Sequence, residues 1–153
     1  MPQLTTAYFE EMEYSTEAVF QFPAGLPGFE DQTEFLFIEQ PHTRPLVFIQ
    51  SLGNPSLCFL ALPVLTVDRE YRLSLSSEEL GALALPAGHT PKIGADIGCF
   101  VLITVAENAD PTVNLMSPIV VNLAARRGVQ AIPATSEYSL RHPLPFGKET
   151  VSC

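Results

Sequence analysis

Two histidines, His89 and His142, are the residues of this sequence best suited to acid–base or metal chemistry. A neutral imidazole accepts a proton near pH 7 and is a common metal ligand. His142 lies close to Ser139 in the sequence, whereas His89 stands between Gly88 and Thr90 with no carboxylate or cysteine near it. General-base catalysis requires a partner within hydrogen-bonding reach, so the sequence favours histidines without a catalytic role. A small-molecule-binding or hydrolytic β-barrel protein that uses His89 or His142 is the alternative hypothesis.

The cysteines and glycines give no indication of an enzyme or of a metal site. Cys58, Cys99 and Cys153 are odd in number, far apart and not arranged as CxxC. Cys58 and Cys99 lie within apolar runs and are expected to be buried. The nucleotide-binding patterns GxxxxGK[ST] and GxGxxG are absent from the sequence, and Ser117 lacks a GxSxG context. We therefore predict a protein that is not an enzyme and that uses no cofactor or metal.

Acidic residues dominate the first part of the chain, and the net charge is −9. Eight of them precede Arg44, the first basic residue: Glu10, Glu11, Glu13, Glu17, Glu30, Asp31, Glu34 and Glu39. Such a field repels nucleic acid and favours a basic protein partner, although it could also serve only to keep the protein soluble. Direct nucleic-acid binding would depend on the basic residues Arg126, Arg127, Arg141 and Lys148, and the overall acidity disfavours it.

The size and composition are those of one globular domain. A chain of 153 residues can bury a core without disulfides or metal, and a hydrophobic share of 46% excludes a disordered protein. No apolar run approaches the ~20 residues of a membrane-spanning helix. The first residues lack the basic and apolar regions of a secretory signal. A soluble, cytoplasmic protein is expected.

The most distinctive segment is the nonapeptide from Phe22 to Glu30, FPAGLPGFE. Each proline fixes its own φ near about −65° and biases the residue before it toward extended geometry. The order Leu26-Pro27-Gly28-Phe29 is typical of a type II turn, with proline second and glycine third. We predict a fixed corner whose aromatic residues Phe22 and Phe29 return to the core, and a structural corner without a binding role is the simpler interpretation.

The segments around this corner have the composition of β-strands. Leu4 to Glu13 and Glu17 to Phe22 are predicted to form an opening hairpin or two edge strands. Further strands are predicted over Thr33–Glu39, Leu46–Gln50, Cys58–Leu62 and Tyr71–Leu75. The second and third of these are apolar on both faces and are expected at the centre of a sheet, whereas Tyr71–Leu75 alternates as a half-exposed strand does.

One short helix is predicted after these strands. Ser76 can cap the amide of Glu79 while the Glu79 side chain reaches back, which is a capping box. Gly81 should keep this helix short. The irregular connection from Pro86 to Gly98 then leads into a strong central strand, Cys99 to Val105.

The last third of the chain completes the sheet. Ile119–Leu123 and Val129–Ile132 are predicted to form a hairpin around Arg126-Arg127-Gly128. Many short strands with turn signals between them, and almost no helical periodicity, predict an all-β and mainly antiparallel fold. We expect a small β-barrel-like single domain with one or two short helices.

Four segments resemble motifs of the flagellar assembly factor FliW family. FPAGLPGFE resembles its FPxGLPGFE signature. Asn114 to Asn122, NLMSPIVVN, resembles NLxxPIVIN; Gly128-x-Gln130 resembles GxQ; and Tyr138 to Leu144, YSLRHPL, resembles YSxRHPL. The order is that of the family, and the resemblance covers the chain from about Thr6 to Leu144. Glu10 departs from it, standing where a glycine is common. A domain over residues 1–144 is expected, followed by a disordered tail over 145–153.

The resemblance implies a protein that works by exchanging protein partners. FliW proteins bind the RNA-binding translational regulator CsrA and relieve its repression of flagellin mRNA. They also bind newly made flagellin as a chaperone, and accumulated flagellin displaces CsrA. Such reciprocal displacement is a linkage between two binding equilibria. The resemblance thus implies CsrA and flagellin as partners, a monomer when free, and no contact with nucleic acid or membrane.

Within these motifs, outward-pointing polar residues and one methionine are the candidates for partner contacts. They are Glu30, Asp31, Asn114, Met116 and Asn122. The residues expected in the core are Phe22, Phe29, Leu115, Ile119 and Val121. The alternative role for the two asparagines is to satisfy backbone groups at strand ends, and for Met116 it is to fill the core.

Overall fold

The computed structural model describes residues 3–5, 12–86, 88, 90–105, 107–133 and 136–144. Within these ranges the chain forms eleven strands and one α-helix. The first six strands are β1 (Gln3–Leu4), β2 (Met12–Glu13), β3 (Val19–Gln21), β4 (Glu34–Glu39), β5 (Val47–Ser51) and β6 (Cys58–Pro63). They are followed by α1 (Ser77–Ala82), β7 (Ile97–Thr104), β8 (Thr112–Val113), β9 (Ile119–Asn122), β10 (Arg127–Gln130) and β11 (His142–Pro143). Short 3-10 turns lie at Thr16–Ala18 and Val64–Thr66.

Seven of these strands close into a barrel. The main sheet has the order β11-β8-β7-β6-β5-β4-β3-β10-β9, and a further pairing of β9 with β7 closes the seven strands from β7 to β9 of this order into a ring. Neighbouring strands of the barrel run antiparallel except for β3 and β10, which meet in parallel at Gln21 and Arg127. The prediction of a small, mainly antiparallel β-barrel is confirmed.

The core has two parts because strands β7 and β9 are covered on both faces. Phe100 of β7 packs toward a cluster that contains Ile119 and Val121, whereas Val101 belongs to a second cluster with Val120. A strand buried on both faces needs apolar residues at successive positions, as in Cys99–Ile103 of β7 and Ile119–Val121 of β9. Burial also makes the thiols unreactive, since it raises the pKa of Cys58 to about 11 and that of Cys99 to about 12.

The predicted capping box at the start of α1 is confirmed. The Ser76 hydroxyl accepts a hydrogen bond from the Glu79 amide at 3.0 Å, and Glu79 Oε1 accepts one from the Ser76 amide at 2.9 Å. Glu79 Oε2 accepts a further bond from the amide of Ile132 at 2.8 Å. This one side chain therefore fixes the helix start and ties the helix to the segment after β10.

Two strand predictions need correction. Tyr71–Leu75 joins no strand ladder in the described residues. The amide of Arg72 donates to the Tyr138 hydroxyl at 2.9 Å, and the Tyr71 hydroxyl donates to the Leu115 carbonyl at 2.6 Å. At Arg72 a side chain thus takes the hydrogen bond that a neighbouring strand would otherwise make. Glu17–Phe22 is not an edge either, since β3 is paired on both sides.

The predicted hairpin between Leu4–Glu13 and Glu17–Phe22 is not found in the described residues. Instead β1 pairs with β2, Gln3 with Glu13 and Leu4 with Met12, whereas β3 pairs with β4 and β10. Glu10, His89 and the proposed tail over 145–153 lie outside the described residues.

Candidate protein-binding surface

The Phe22–Glu30 segment forms the predicted type II turn. The Phe29 amide donates to the Leu26 carbonyl at 2.7 Å, and Gly28 has a φ of 86°. A second glycine is required at Gly25, where φ is 67° and a Cβ atom would lie 2.6 Å from the Cα of Glu30. Both glycines therefore occupy positions that other residues would strain.

Buried contacts hold this corner in place at both ends. The Phe22 ring is fully buried and meets Phe35 edge to face at a centroid distance of 5.3 Å. After the turn, Gln32 accepts a hydrogen bond from the Ser51 hydroxyl at 2.6 Å. A Cβ atom on Gly53 would lie only 2.8 Å from Gln32 Oε1. The corner is thus packed against the barrel and is not a projecting loop.

Two of the family-like motifs meet at Phe22. The ring occupies the space beside Gly128, where a Cβ atom would lie 2.4 Å from Phe22 Cζ. Gln130, two residues later, donates from Nε2 to the Ser117 carbonyl at 3.0 Å. The GxQ pattern therefore has a physical basis, since its glycine admits the aromatic ring and its glutamine ties β10 to the loop before β9.

Phe29 is exposed, and the prediction that it lies in the core is wrong. Leu26 fills the buried side of the turn at 2% exposure, while Phe29 is 36% exposed and forms a T-shaped ring pair with Phe59 at a centroid distance of 5.5 Å. The turn brings its first and last residues, Leu26 and Phe29, close together, and only Leu26 is buried beneath the turn. The corner consequently presents an aromatic ring to solvent.

Two carboxylates stand beside this ring. Glu30 is exposed, and its Oε2 accepts a hydrogen bond from the Gly28 amide at 3.0 Å. Asp31 is exposed as well, and its side chain makes no hydrogen bond or ion pair with any residue in the described ranges. We name Phe29, Glu30 and Asp31 the acidic corner.

Asn114 and Met116 lie where the strand partner of β7 is interrupted. Strand β7 pairs with β9 through Ile97–Phe100 and with β8 through Ile103–Thr104, and residues 114–118 bridge the two. Asn114 Oδ1 accepts a bond from the Ser117 amide at 3.0 Å and so closes a local turn. This hydrogen bond within the chain explains the presence of an asparagine at position 114 without any contact to a binding protein.

Met116 lines an open groove of about 420 Å³. The other lining residues are Tyr71, Arg72, Leu73, Ser74, Pro118, Ala131, Pro133, Ser136, Glu137 and Tyr138. Met116 is half-buried, so it neither fills the core nor projects freely. A methionine on the wall of an apolar groove suits contact with another protein, because its side chain adapts to many shapes.

Asn122 serves the fold. The side chain is 6% exposed, and its Nδ2 donates to the Leu83 carbonyl at 2.8 Å. Its Oδ1 accepts from the amides of Ala124 and Ala125 at 3.1 and 3.2 Å. These bonds shape the turn between β9 and β10 and leave no free polar atom for a partner, so we remove Asn122 from the candidate surface. The five predicted residues therefore fall in four places: Glu30 and Asp31 in the acidic corner, Asn114 in a local turn before β9, Met116 in the groove, and Asn122 in a buried turn.

The histidine alternative gains no geometric support from the described residues. His142 pairs with Val113 in the β11–β8 ladder. The Ser139 hydroxyl accepts a bond from the Arg141 amide at 3.0 Å, and within residues 136–144 it makes none with His142. The described part of the chain also holds no group of three potential metal ligands and no helix long and apolar enough to cross a membrane.

Comparison with known proteins agrees with this architecture. The family model described as FliW protein matches residues 3–144. The chain belongs to the FliW family. Its relatives include the flagellar assembly factor FliW of Desulfitobacterium hafniense strain DCB-2, which is 34% identical over 93% of this chain and 90% of its own length. The flagellar assembly factor FliW of Syntrophotalea carbinolica is 32% identical over 90% of this chain and 94% of its own length.

A solved structure shares the fold. The crystal structure of a flagellar assembly factor FliW superposes with a TM-score of 0.79 at 27% identity, covering 93% of this chain and 96% of that one. The relatives and the solved structure are thus flagellar assembly factors. The four motifs quoted from the sequence all lie within residues 3–144, which the family model matches.

Proposed function

We propose that this protein binds CsrA and flagellin in the cytoplasm and exchanges one for the other. In the CsrA-bound state it relieves repression of flagellin mRNA translation, and in the flagellin-bound state it acts as a chaperone. It performs no chemistry itself. The single observation that carries the proposal is the acidic corner, an exposed aromatic ring flanked by two carboxylates on a rigid support.

The chemistry of the acidic corner suits a basic RNA-binding protein. Interfaces are commonly anchored by an aromatic residue, with charged residues at the rim that steer association. The other acidic residues of the first part of the chain that are described are also exposed: Glu13, Glu17, Glu34 and Glu39. The negative field of these carboxylates extends the attraction of a basic partner beyond the acidic corner, over a Debye length of roughly 8 Å at physiological salt.

Isothermal titration of the purified protein with CsrA, with and without flagellin, tests the exchange. We expect saturable CsrA binding that flagellin abolishes or weakens, together with the same weakening of flagellin binding by CsrA, because linkage is reciprocal. Binding of flagellin without CsrA at any salt concentration would reduce the function to that of a flagellin chaperone. If the protein binds neither CsrA nor flagellin, the proposal is contradicted. The alternative hypothesis of a small-molecule-binding or hydrolytic barrel that uses His89 or His142 would then have to be tested.

Charge reversal at the acidic corner should weaken CsrA binding. The double variant Glu30→Lys with Asp31→Lys is expected to lose roughly tenfold in affinity at low salt and less at high salt, mainly through a slower association rate. The matched control is Glu70→Lys with Glu107→Lys, which changes the net charge equally at two other exposed sites. Equal losses in both double variants would show that net charge alone acts, and unchanged affinity at low salt would remove Glu30 and Asp31 from the interface.

A further inference from the structure

The segment Tyr71–Leu75 has the form of a strand without a strand beside it. Its residues alternate between buried or half-buried and exposed, as in a sheet that covers a core on one face. Within the described ranges, no backbone N–H or C=O group of Leu73, Ser74 or Leu75 makes a hydrogen bond. Backbone groups of extended segments are usually paired or covered, and an open row of them is a template for another chain.

The open backbone N–H and C=O groups of Ser74 face the groove defined above. In an extended segment the N–H and C=O groups of residues two apart point to the same edge. The Arg72 amide donates to the hydroxyl of Tyr138, which lines the groove. The N–H and C=O of Ser74 therefore point to the groove as well, and there they have no described partner.

The walls of the groove provide a site for apolar side chains. The rings of Tyr71 and Tyr138 lie 4.4 Å apart between centroids. The Tyr71 hydroxyl donates to the Leu115 carbonyl at 2.6 Å, which fixes the ring as one wall of the groove. Burial raises the pKa of this hydroxyl above its ordinary value. With Met116 and Pro118 opposite in the lining, about 420 Å³ is enough for one or two large side chains.

The rim of the groove carries one charge of each sign. Arg72 and Glu137 both line it and are both exposed, and neither side chain is ion-paired with a residue of the described ranges. An extended chain with an acidic and a basic side chain at matching positions would complement both. This pattern differs from that of the acidic corner, which suits a purely basic partner.

We propose that an extended segment of flagellin pairs with the backbone of Ser74 at the groove-facing edge of Tyr71–Leu75, with an apolar side chain in the groove. Hydrogen bonds to the Ser74 backbone select an extended conformation, and the groove selects the side chain. This inference rests on the proposed function for the identity of the partner. It gives flagellin a surface separate from the acidic corner, so that exchange of partners proceeds through coupling between two sites rather than through overlap.

Hydrogen exchange read at single-residue resolution, on the full chain with and without saturating flagellin, locates the contact. We expect the amide of Ser74 to exchange fast in the free protein and to be slowed at least tenfold in the complex, whereas the amides of Leu73 and Leu75, which point to the opposite edge, should change less. Flagellin binding with no protection of the Ser74 amide would overturn the inference and leave the proposed function intact. Absence of flagellin binding in the titration would overturn both. Protection that rises with protein concentration in the absence of flagellin would identify a second copy of this chain as the occupant instead.

Two variants test the same edge by affinity. Ser74→Pro removes the groove-facing amide and should lower flagellin affinity at least tenfold. Its matched control is Ser77→Pro, at the first residue of α1, where proline is tolerated. Met116→Arg fills the groove without changing the backbone and should also lower flagellin affinity at least tenfold. This second variant keeps the test valid if Ser74→Pro lowers the thermal unfolding midpoint. Wild-type flagellin affinity in Met116→Arg would contradict the inference.

Discussion

Replacing Phe29 with alanine is expected to lower CsrA affinity about thirtyfold and to leave the barrel folded. A central aromatic anchor typically contributes about 2 kcal/mol or more to binding, which corresponds to that change in affinity. The ring is 36% exposed and packs edge to face against Phe59, so its loss opens a space that reaches solvent rather than a closed cavity. Titration calorimetry gives the affinity, and the thermal unfolding midpoint reports the fold.

Leu65→Ala is the matched control for this prediction. Leu65 is 39% exposed and lies in the 3-10 turn after β6, away from the Phe22–Glu30 segment in sequence. We expect CsrA affinity to stay within twofold in this variant. If Phe29→Ala also stays within twofold, the acidic corner is not where CsrA binds, whatever the effect of charge reversal at Glu30 and Asp31.

The sequence predicted local structure well because local rules determine it. The type II turn follows from Pro27 and Gly28, and the helix start follows from Ser76 and Glu79. In both cases the stabilising hydrogen bonds join residues at most three positions apart. The central position of β5 and β6 was also predictable, because strands that are apolar throughout need cover on both faces.

The wrong predictions concern contacts between distant parts of the chain. Phe29 has the composition of a core residue, but whether it is buried depends on how Leu26 fills the space beneath the turn. Tyr71–Leu75 has the alternation of a strand, but the described part of the chain supplies no partner strand, and the Arg72 amide donates instead to the hydroxyl of Tyr138, far along the chain. The hydrophobic periodicity of a sequence indicates which face of a segment is buried. It does not indicate which groups lie along the hydrogen-bonding edge of that segment.

The candidate site was predictable only in part for the same reason. Glu30, Asp31 and Met116 remain on exposed or groove-lining positions, whereas Asn122 hydrogen-bonds to Leu83 and is buried. An asparagine at a strand end looks the same in sequence whether it meets a partner or a carbonyl of its own chain. The groove itself had no signal in sequence, because its walls come from three separate segments.

The acidic corner depends on the fit between Phe22 and Gly128, and this fit leads to the prediction with the largest effect on stability. Gly128→Ala should lower the free energy of unfolding by about 3 kcal/mol, the upper part of the range for overpacked cores. The new Cβ would lie 2.4, 2.6 and 2.8 Å from three atoms of the Phe22 ring. That ring is fully buried between Phe35 and Phe37 at centroid distances of 5.3 and 6.3 Å, so it cannot move away. Urea unfolding measures the change.

A double-mutant cycle separates this contact from a general effect of alanine. Phe22→Leu removes the atoms that the new Cβ would meet, so the variant with both substitutions should be more stable than the sum of the single effects predicts, by at least about 1 kcal/mol. Gly81→Ala is the matched control, since a Cβ there meets nothing within 4 Å and alanine favours the helix by about 1 kcal/mol. Additive effects of Phe22→Leu and Gly128→Ala would show that Gly128 does not make room for Phe22. The glycine of GxQ would then need another explanation, and the support of the acidic corner would have to be sought in Gln32 and Gly53 instead.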